Sequence, residues 1–394
     1  VSKVNLIVND YAGITSRLIY VYRHENQYFL QRSLDESSFE FGTLSELRSY
    51  ISSYIKDEEI SLIHLHSMPF HEITESLFEF GLPVVRTSHE PMLTCPGWAR
   101  FLNNSNRPCE RAFGPMCVVN AFKEKCQRSR HPKRLLQAYH NVKAETERFF
   151  HAYNRLVVNS RYLAGTLTSH GADPSRVLVA PSPQFAAENR AINSPKSRES
   201  GPEKSLPIIF AGRVSRAKGI FRLIEAYERL TMKNGVETRL EIIGEGGDLV
   251  EVKQMVLERQ ISGVKFHGWI NRDDLKEMFA QDCIAVVPSI YPDHFPNVVA
   301  EAMLAGAAVV ASDAGGTSEW FEDGVSGLSF AYNDTEALID CLEILIGDRS
   351  RRRSLASNGL AHISTHHSPE VCAAFYKNLY REVLLEEVRP YGRQ

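Results

Sequence analysis

From Leu206 to Phe330 the chain keeps one rhythm: a short apolar run, then a stretch with helical periodicity, then another apolar run. "LPIIFAG" precedes "GIFRLIEAYERL", in which Ile220, Leu223, Ile224 and Tyr227 share one helical face. "RLEIIGEG" precedes "GDLVEVKQMVLERQ", "VKFHGW" precedes "RDDLKEMFAQ", and "CIAVVPS" precedes "NVVAEAMLAG". "AAVVAS" and "GLSF" continue the series. Strands apolar at every position suit burial on both faces, as in a parallel sheet. Repeated βα units of this length predict a doubly wound, Rossmann-like domain.

The first half shows the same grammar less cleanly. "VNLIV", "LIHLH", "PVVRTS", "RLVVNS" and "VLVAP" read as strands, and about residues 95–134 an irregular insertion rich in Cys, Pro and basic residues interrupts them. The polar segment from Phe185 to Pro207 has the chemistry of a linker. At roughly 100–200 residues per domain, a chain of 394 residues suits two. The expected division is an N-terminal domain over 1–185, a linker over 186–206, a second domain over 207–372 and a C-terminal helix over 373–394. That helix opens on Ser-Pro and is expected to pack back on the first domain. Ligands of such sheets bind beyond the carboxyl ends of the strands.

Composition excludes several classes. With 43% hydrophobic and 24% charged residues the chain reads as globular, and a net charge of −3 argues against nucleic acid as a partner. No apolar stretch has the length of a membrane span. The apolar part of "VSKVNLIVNDYAG" is too short for a signal peptide, so a cytoplasmic location is expected. Seven cysteines, an odd number in a long chain, do not suggest a secreted disulfide framework.

Two stretches carry chemistry. In "FAGRVSRAKG" a strand ends at Ala211, Gly212 and Arg213 follow, and Lys218 stands before Gly219 at a helix start. Glycine admits close backbone approach, and two cations beside a helix N-terminus suit an anion. A solvated turn with surface charges explains the same residues. In "DHFPNVVAEAMLAGAAVVASDAGGTSEW" Asp293 and Glu301 flank a helix start, with seven residues between them. Ionised carboxylates only accept hydrogen bonds, which suits pairs of sugar hydroxyls. Acids that merely favour a helix N-terminal dipole also fit.

Taken in order, the strand-Gly-Arg…Lys-Gly motif, the acid-x7-acid pair, Glu-Ala-Met at Glu301–Met303 and "GGTSE" resemble family 4 glycosyltransferases of the GT-B fold. The resemblance is strongest from Leu206 to Phe330. It implies an α/β fold of two Rossmann-like doubly wound parallel-sheet domains facing a central cleft. The implied activity is retaining transfer of a hexose-type sugar from a nucleotide diphosphate sugar, UDP favoured and GDP open. The implied acceptor is a hydroxyl of a glycan or lipid-linked glycan, in polysaccharide biosynthesis. Arg213 and Lys218 would hold the diphosphate, Glu301 the ribose hydroxyls, and Asp293 the hydroxyls of the transferred sugar. The backbone of His294, Phe295, Pro296, Asn297 and Val298 would touch sugar and phosphate. Gly212, Gly244, Trp269 and Ile270 would line the donor site, and Glu319 would orient a cation nearby or simply start a helix. Two positions depart from the family: Asp293 replaces the usual Glu, and His294 the usual Gly. In the first half, Gly13 stands where the family has a Gly-rich loop, and His89 where it has a histidine facing the transferred sugar. His64 and His66 share a strand face, which suits a structural role or an acceptor contact. No Asp-x-Asp loop asks for a divalent metal, so no cofactor is expected for the chemistry.

Cys95, Cys109, Cys117 and Cys126 leave tetrahedral zinc, disulfides and free thiols open, since no C-x2-C pair is present. The basic run Lys123–Arg134 leads into a helix with Leu135, Leu136, Tyr139 and Val142 on one side. Core packing explains that stripe. A peripheral contact at the inner face of a membrane, through anionic headgroups, stays open beside it. Three rival functions also stay open: a nucleotide-sugar epimerase of the same fold, a glycosidase using Asp293 and Glu301, and a nucleotide-sugar binding protein with weakened catalysis.

Overall fold

The computed structural model describes residues 3–6, 19–24, 27–32, 37–66, 70–127, 131–184, 205–232 and 237–386. Gly13, and most of the expected linker at 185–204, lie outside the described residues. The chain divides into two compact units. One comprises Val1–Asn104, Cys109–Pro181 and Cys372–Gln394, the other Ser105–Pro108 and Ser182–Val371.

The first unit is built on an eight-stranded sheet. Its strands are β1 (Lys3–Leu6), β2 (Ile19–His24), β3 (Gln27–Arg32), β4 (Ser38–Phe41), β5 (Ile63–His66), β6 (Val84–Ser88), β7 (Arg155–Val158) and β8 (Val177–Val179). They lie in the order β8-β7-β6-β5-β1-β2-β3-β4. From β5 to β8 every pairing is parallel, with Ile63 opposite Val84 and Val85 opposite Arg155. The other half differs from the expected parallel sheet: β1 runs antiparallel to β5, and β2, β3 and β4 follow as an antiparallel meander. Strands β2 and β3 are separated by two residues, room for a hairpin and not for a crossover.

Alternation along β6 and β7 sends side chains to two faces. Val84, Leu156 and Val158 join Leu47, Ile51, Phe149 and Tyr153 on one. Val85 and Val157 meet Leu379 and Val383 of the C-terminal helix, Pro369–Leu385, on the other. That helix also brings Tyr380 Oη within 2.6 Å of His64 Nδ1 and pairs Glu386 with Arg155.

The second unit is built on a six-stranded sheet, all parallel: β9 (Leu206–Ala211), β10 (Thr238–Ile243), β11 (Val264–Gly268), β12 (Ile284–Val287), β13 (Ala308–Ser312) and β14 (Leu328–Phe330). Their order is β11-β10-β9-β12-β13-β14. Ile208, Phe210, Leu240, Ile242 and Val286 feed one core, and Ile209, Ile243, Ala285, Val287 and Val309 the other. Burial on both faces is the physical origin of the uninterrupted apolar runs. The order reverses between β9 and β12, so their carboxyl ends diverge into loops on either side of a crevice.

Candidate active site

The loops that leave β9, β10, β11, β12 and β13 all emerge at one edge of the parallel sheet, and they carry the donor-site residues expected in this half. The loop after β9 turns tightly. Arg216–Lys218 form a 3-10 turn closed by Gly219 at φ 73°. A Cβ on Gly219 would lie 1.7 Å from the Pro288 carbonyl oxygen, so only glycine fits. The backbone N–H groups of Ile290 and Tyr291 donate to Ala217 O at 2.9 and 2.8 Å, which fastens this turn to the loop after β12. The loop after β10 presses on the same backbone. A Cβ on Gly244 would meet Gly212 O at 2.0 Å, and one on Gly246 would meet Val214 O at 2.2 Å.

These contacts place Lys218 against Asp293: the ammonium donates to Asp293 Oδ2. The two residues are 75 apart in sequence and come from the strands on either side of the switch point. The Lys218 Nζ also lies 5.3 Å from the centroid of the Tyr291 ring. The backbone of Asp293 is held by the loop after β13. Gly316 N–H donates to Asp293 O at 2.6 Å, and a Cβ on Gly315 would sit 2.3 Å from that oxygen. Arg213 is exposed at the mouth of the same loops, with no hydrogen bond or ion pair among the described residues. Neighbouring Arg216 is taken instead, by Glu251 and by the face of Phe221.

His294 turns inward. Only 6% exposed, its Nε2 lies 2.9 Å from Tyr291 Oη. Burial pushes its pKa down to about 4, with Asp293 opposing and Lys218 reinforcing the shift. Its side chain thus holds Tyr291, the ring beside Lys218 Nζ. Phe295 stacks on Trp320 at 3.7 Å, and the Val298 and Ile270 side chains pack on the core. Pro296 precedes helix Asn297–Ala305, and among the described residues its side chain caps none of that helix's first N–H groups. Glu301, one turn in, is 3.2 Å from Arg272. Trp269 is 74% exposed, and Glu319 lies half-buried in the turn Thr317–Trp320. His267 pairs with the buried Glu241, which Arg239 also holds at 2.8 Å.

The first unit gathers three histidines at the carboxyl ends of β5 and β6. His66 Nδ1 lies 3.1 Å from His89 Nε2, and the rings stack at 5.4 Å. His64, on the same strand face as His66, is buried between Tyr380 Oη at 2.6 Å and Thr87 Oγ1 at 2.7 Å. Burial pushes the His66 pKa down to about 3, with His89 and Arg86 adding to it. His89 is lowered by burial, then by Arg86, and His64 lies well below the usual range through burial, then His66, His89 and Arg86. The His66–His89 contact therefore joins two neutral rings, one donating and one accepting. Nothing in the spacing of these residues announced it; the parallel register of β5 and β6 creates it.

Among the described residues, no group of three or more His, Cys, Asp or Glu side chains is placed to hold a metal ion. Cys95, Cys109, Cys117 and Cys126 are all free thiols, none fully buried. They are neighbours all the same. Burial and then the other three thiols push Cys126 up to about 12.

Residues 193–362 match the family model "Glycosyl transferases group 1". A D-inositol 3-phosphate glycosyltransferase of Xylanimonas cellulosilytica is 30% identical over 53% of this chain and 52% of its own length. The lipopolysaccharide core biosynthesis glycosyltransferase LpsE of Rhizobium meliloti is 27% identical over 50% of this chain and 55% of its own. The chain thus spans about half the length of the curated relatives it matches. Among solved structures, a sucrose-phosphate synthase from Thermosynechococcus elongatus superposes with a TM-score of 0.60 at 20% identity, over 86% of this chain and 78% of that one. HepE of Anabaena, solved in complex with UDP, gives 0.60 at 18% identity over 85% and 82%. The fold is GT-B, an α/β architecture of two units.

Proposed function

We propose that this chain is a retaining glycosyltransferase that moves a hexose-type sugar from a nucleotide diphosphate sugar, with UDP as the favoured nucleotide, to a hydroxyl of a glycan or lipid-linked glycan. The observation that carries the reading is the Lys218–Asp293 pair across the switch point, with the exposed Arg213 on the same loop as Lys218. A diphosphate would take Lys218 from Asp293 and add Arg213. Asp293 would then be free to accept from sugar hydroxyls, and Glu301 from those of the ribose. The similarity of residues 193–362 to group 1 glycosyl transferases supports this, and so does the likeness of fold to HepE, solved with UDP.

In the proposed step the bond from the anomeric carbon to the diphosphate oxygen breaks and one to the acceptor oxygen forms. The departing diphosphate oxygen takes the acceptor proton. Arg213 and Lys218 stabilise the charge that develops on that oxygen, so the reading needs no divalent cation. His89, oriented by His66, is proposed to contact a sugar hydroxyl. The salt bridge of Asp293 also favours a second reading, a binding protein that holds the donor without turnover.

Calorimetric titration with UDP, GDP and ADP tests the site in the wild type and in an Arg213→Ala/Lys218→Ala variant. Binding of one nucleotide to the wild type, weakened about a hundredfold in the variant, is expected for two lost charge-assisted contacts. Failure of all three to bind would sink the donor site. Binding without release of nucleotide from any matching sugar nucleotide would select the second reading.

A further inference from the structure

The insertion between β6 and β7 carries a short helix, Met116–Lys123, whose polarity is inverted. Each helical residue advances by about 100°. Counted from Met116, residues Cys117, Asn120 and Ala121 fall on one arc, and Met116, Val118, Val119, Phe122 and Lys123 on the other. The first arc faces the protein, with Asn120 and Ala121 buried and Cys117 half-buried. The second faces outward, where a helix in water keeps its polar residues. Here Met116, Val118, Val119 and Phe122 are 46%, 42%, 49% and 53% exposed. The neighbouring helix Pro132–Ala144 packs alongside and adds Leu136, 57% exposed. It does so while Leu135 and Val142 go to the protein side, so its stripe is core packing, and the outward apolar face comes from the shorter helix.

Cations frame this face. Lys123, Lys125, Lys133 and Arg134 are exposed, and among the described residues from 112 to 134 the one acid, Glu124, is buried. The sequence adds Arg128 and Arg130 to the same run.

We propose that helix Met116–Lys123, with the first turn of Pro132–Ala144, is a docking surface for an anionic lipid bilayer. Phe122, Val119, Val118, Met116 and Leu136 enter the boundary between headgroups and acyl chains, and the lysines and Arg134 pair with lipid phosphates. Charge complementarity selects this occupant, and the apolar area is small for a stable protein interface. The five side chains expose roughly 400 Å² together, against about 800 Å² per partner in a stable protein interface. The patch is convex and about 12 Å long, which suits a deformable surface. Among the described residues no helix is long and apolar enough to cross a membrane, so the contact is peripheral in this region. The inference does not depend on the proposed transferase activity.

Co-sedimentation of the full chain with vesicles tests it, using phosphatidylcholine alone and phosphatidylcholine with about a third phosphatidylglycerol. The wild type should sediment with the anionic vesicles and not with the neutral ones, and added salt should release it. A Val119→Asp/Phe122→Asp variant should lose about tenfold or more in partitioning, and so should Lys123→Glu/Lys133→Glu. All four positions are exposed, and unchanged circular dichroism would show that both variants fold. Sedimentation of the wild type that Val119→Asp/Phe122→Asp leaves unchanged would overturn the proposal, as would no sedimentation with anionic vesicles. So would concentration-dependent dimerisation abolished by that variant, which assigns the face to a second copy of the chain.

Discussion

At the scale of single residues, His294 couples the candidate site to pH. In the unfolded chain its imidazole titrates near ~6.5; in the fold burial holds it at about 4. The stabilising difference is present above pH ~6.5 and is lost as pH falls from there towards 4, because the unfolded chain gains a proton that the fold refuses. At pH 5 the loss is about 2 kcal/mol, or about 4–8 °C in the melting temperature of a unit this size. A His294→Gln variant keeps a polar partner for Tyr291 and removes the titration. Its melting temperature should therefore fall less between pH 7.5 and 5 than that of the wild type. Equal falls would show that His294 is not the origin. His367 is held at about 4 by burial and by His362, so the variant should retain part of the acid sensitivity. Neither effect was legible in the sequence. His294 read there as a departure from glycine, and its burial depends on Tyr291 and on the loop after β13.

At the scale of elements, two adjacent glycines separate a packing constraint from mere loop composition. Gly246 lies against the Val214 carbonyl, whereas a Cβ on Gly247 would have nothing within 4 Å. Gly246→Ala should destabilise the second unit by about 1–3 kcal/mol and weaken nucleotide binding, because the loop after β10 would be pushed from the one that holds Arg213 and Lys218. Gly247→Ala should be neutral, or stabilising by about 0.5 kcal/mol. Denaturant unfolding of the two variants decides it, and equal effects would refute the packing argument. Legibility follows the same division. The strands of the second unit could be read because burial on both faces leaves an unbroken apolar run, as in Ile284–Val287. The segment Ser38–Phe41 alternates between exposed and half-buried positions and has no fully buried residue, so it left no such run. The motif residues were legible as types at spacings. Their engagements were not: Lys218 meets Asp293 across two loops, and Glu301 meets Arg272 across two helices, that only the sheet order brings together.

At the scale of the whole molecule, the first unit is discontinuous, for its sheet is covered on one face by a helix that follows the entire second unit. A chain ending at His367 lacks Leu379, Tyr380 and Val383, each 3% exposed or less or bonded to His64. Two fully buried aliphatic side chains alone account for about 3–6 kcal/mol. Hydrogen exchange should therefore show β5 and β6 losing protection in the truncated chain while β9 and β12 keep theirs. Retained protection in β5 and β6 would show that the helix is dispensable.

The return of the last helix to the first sheet also sets an order of events during synthesis. A nascent chain that has reached residue 371 holds every strand of the second unit but not the cover of the first, so it stands where the truncated protein stands. The half that leaves the ribosome first is the half that finishes last. Until the final helix emerges, Val85 and Val157 wait uncovered, and that interval is when chaperones have the most to bind.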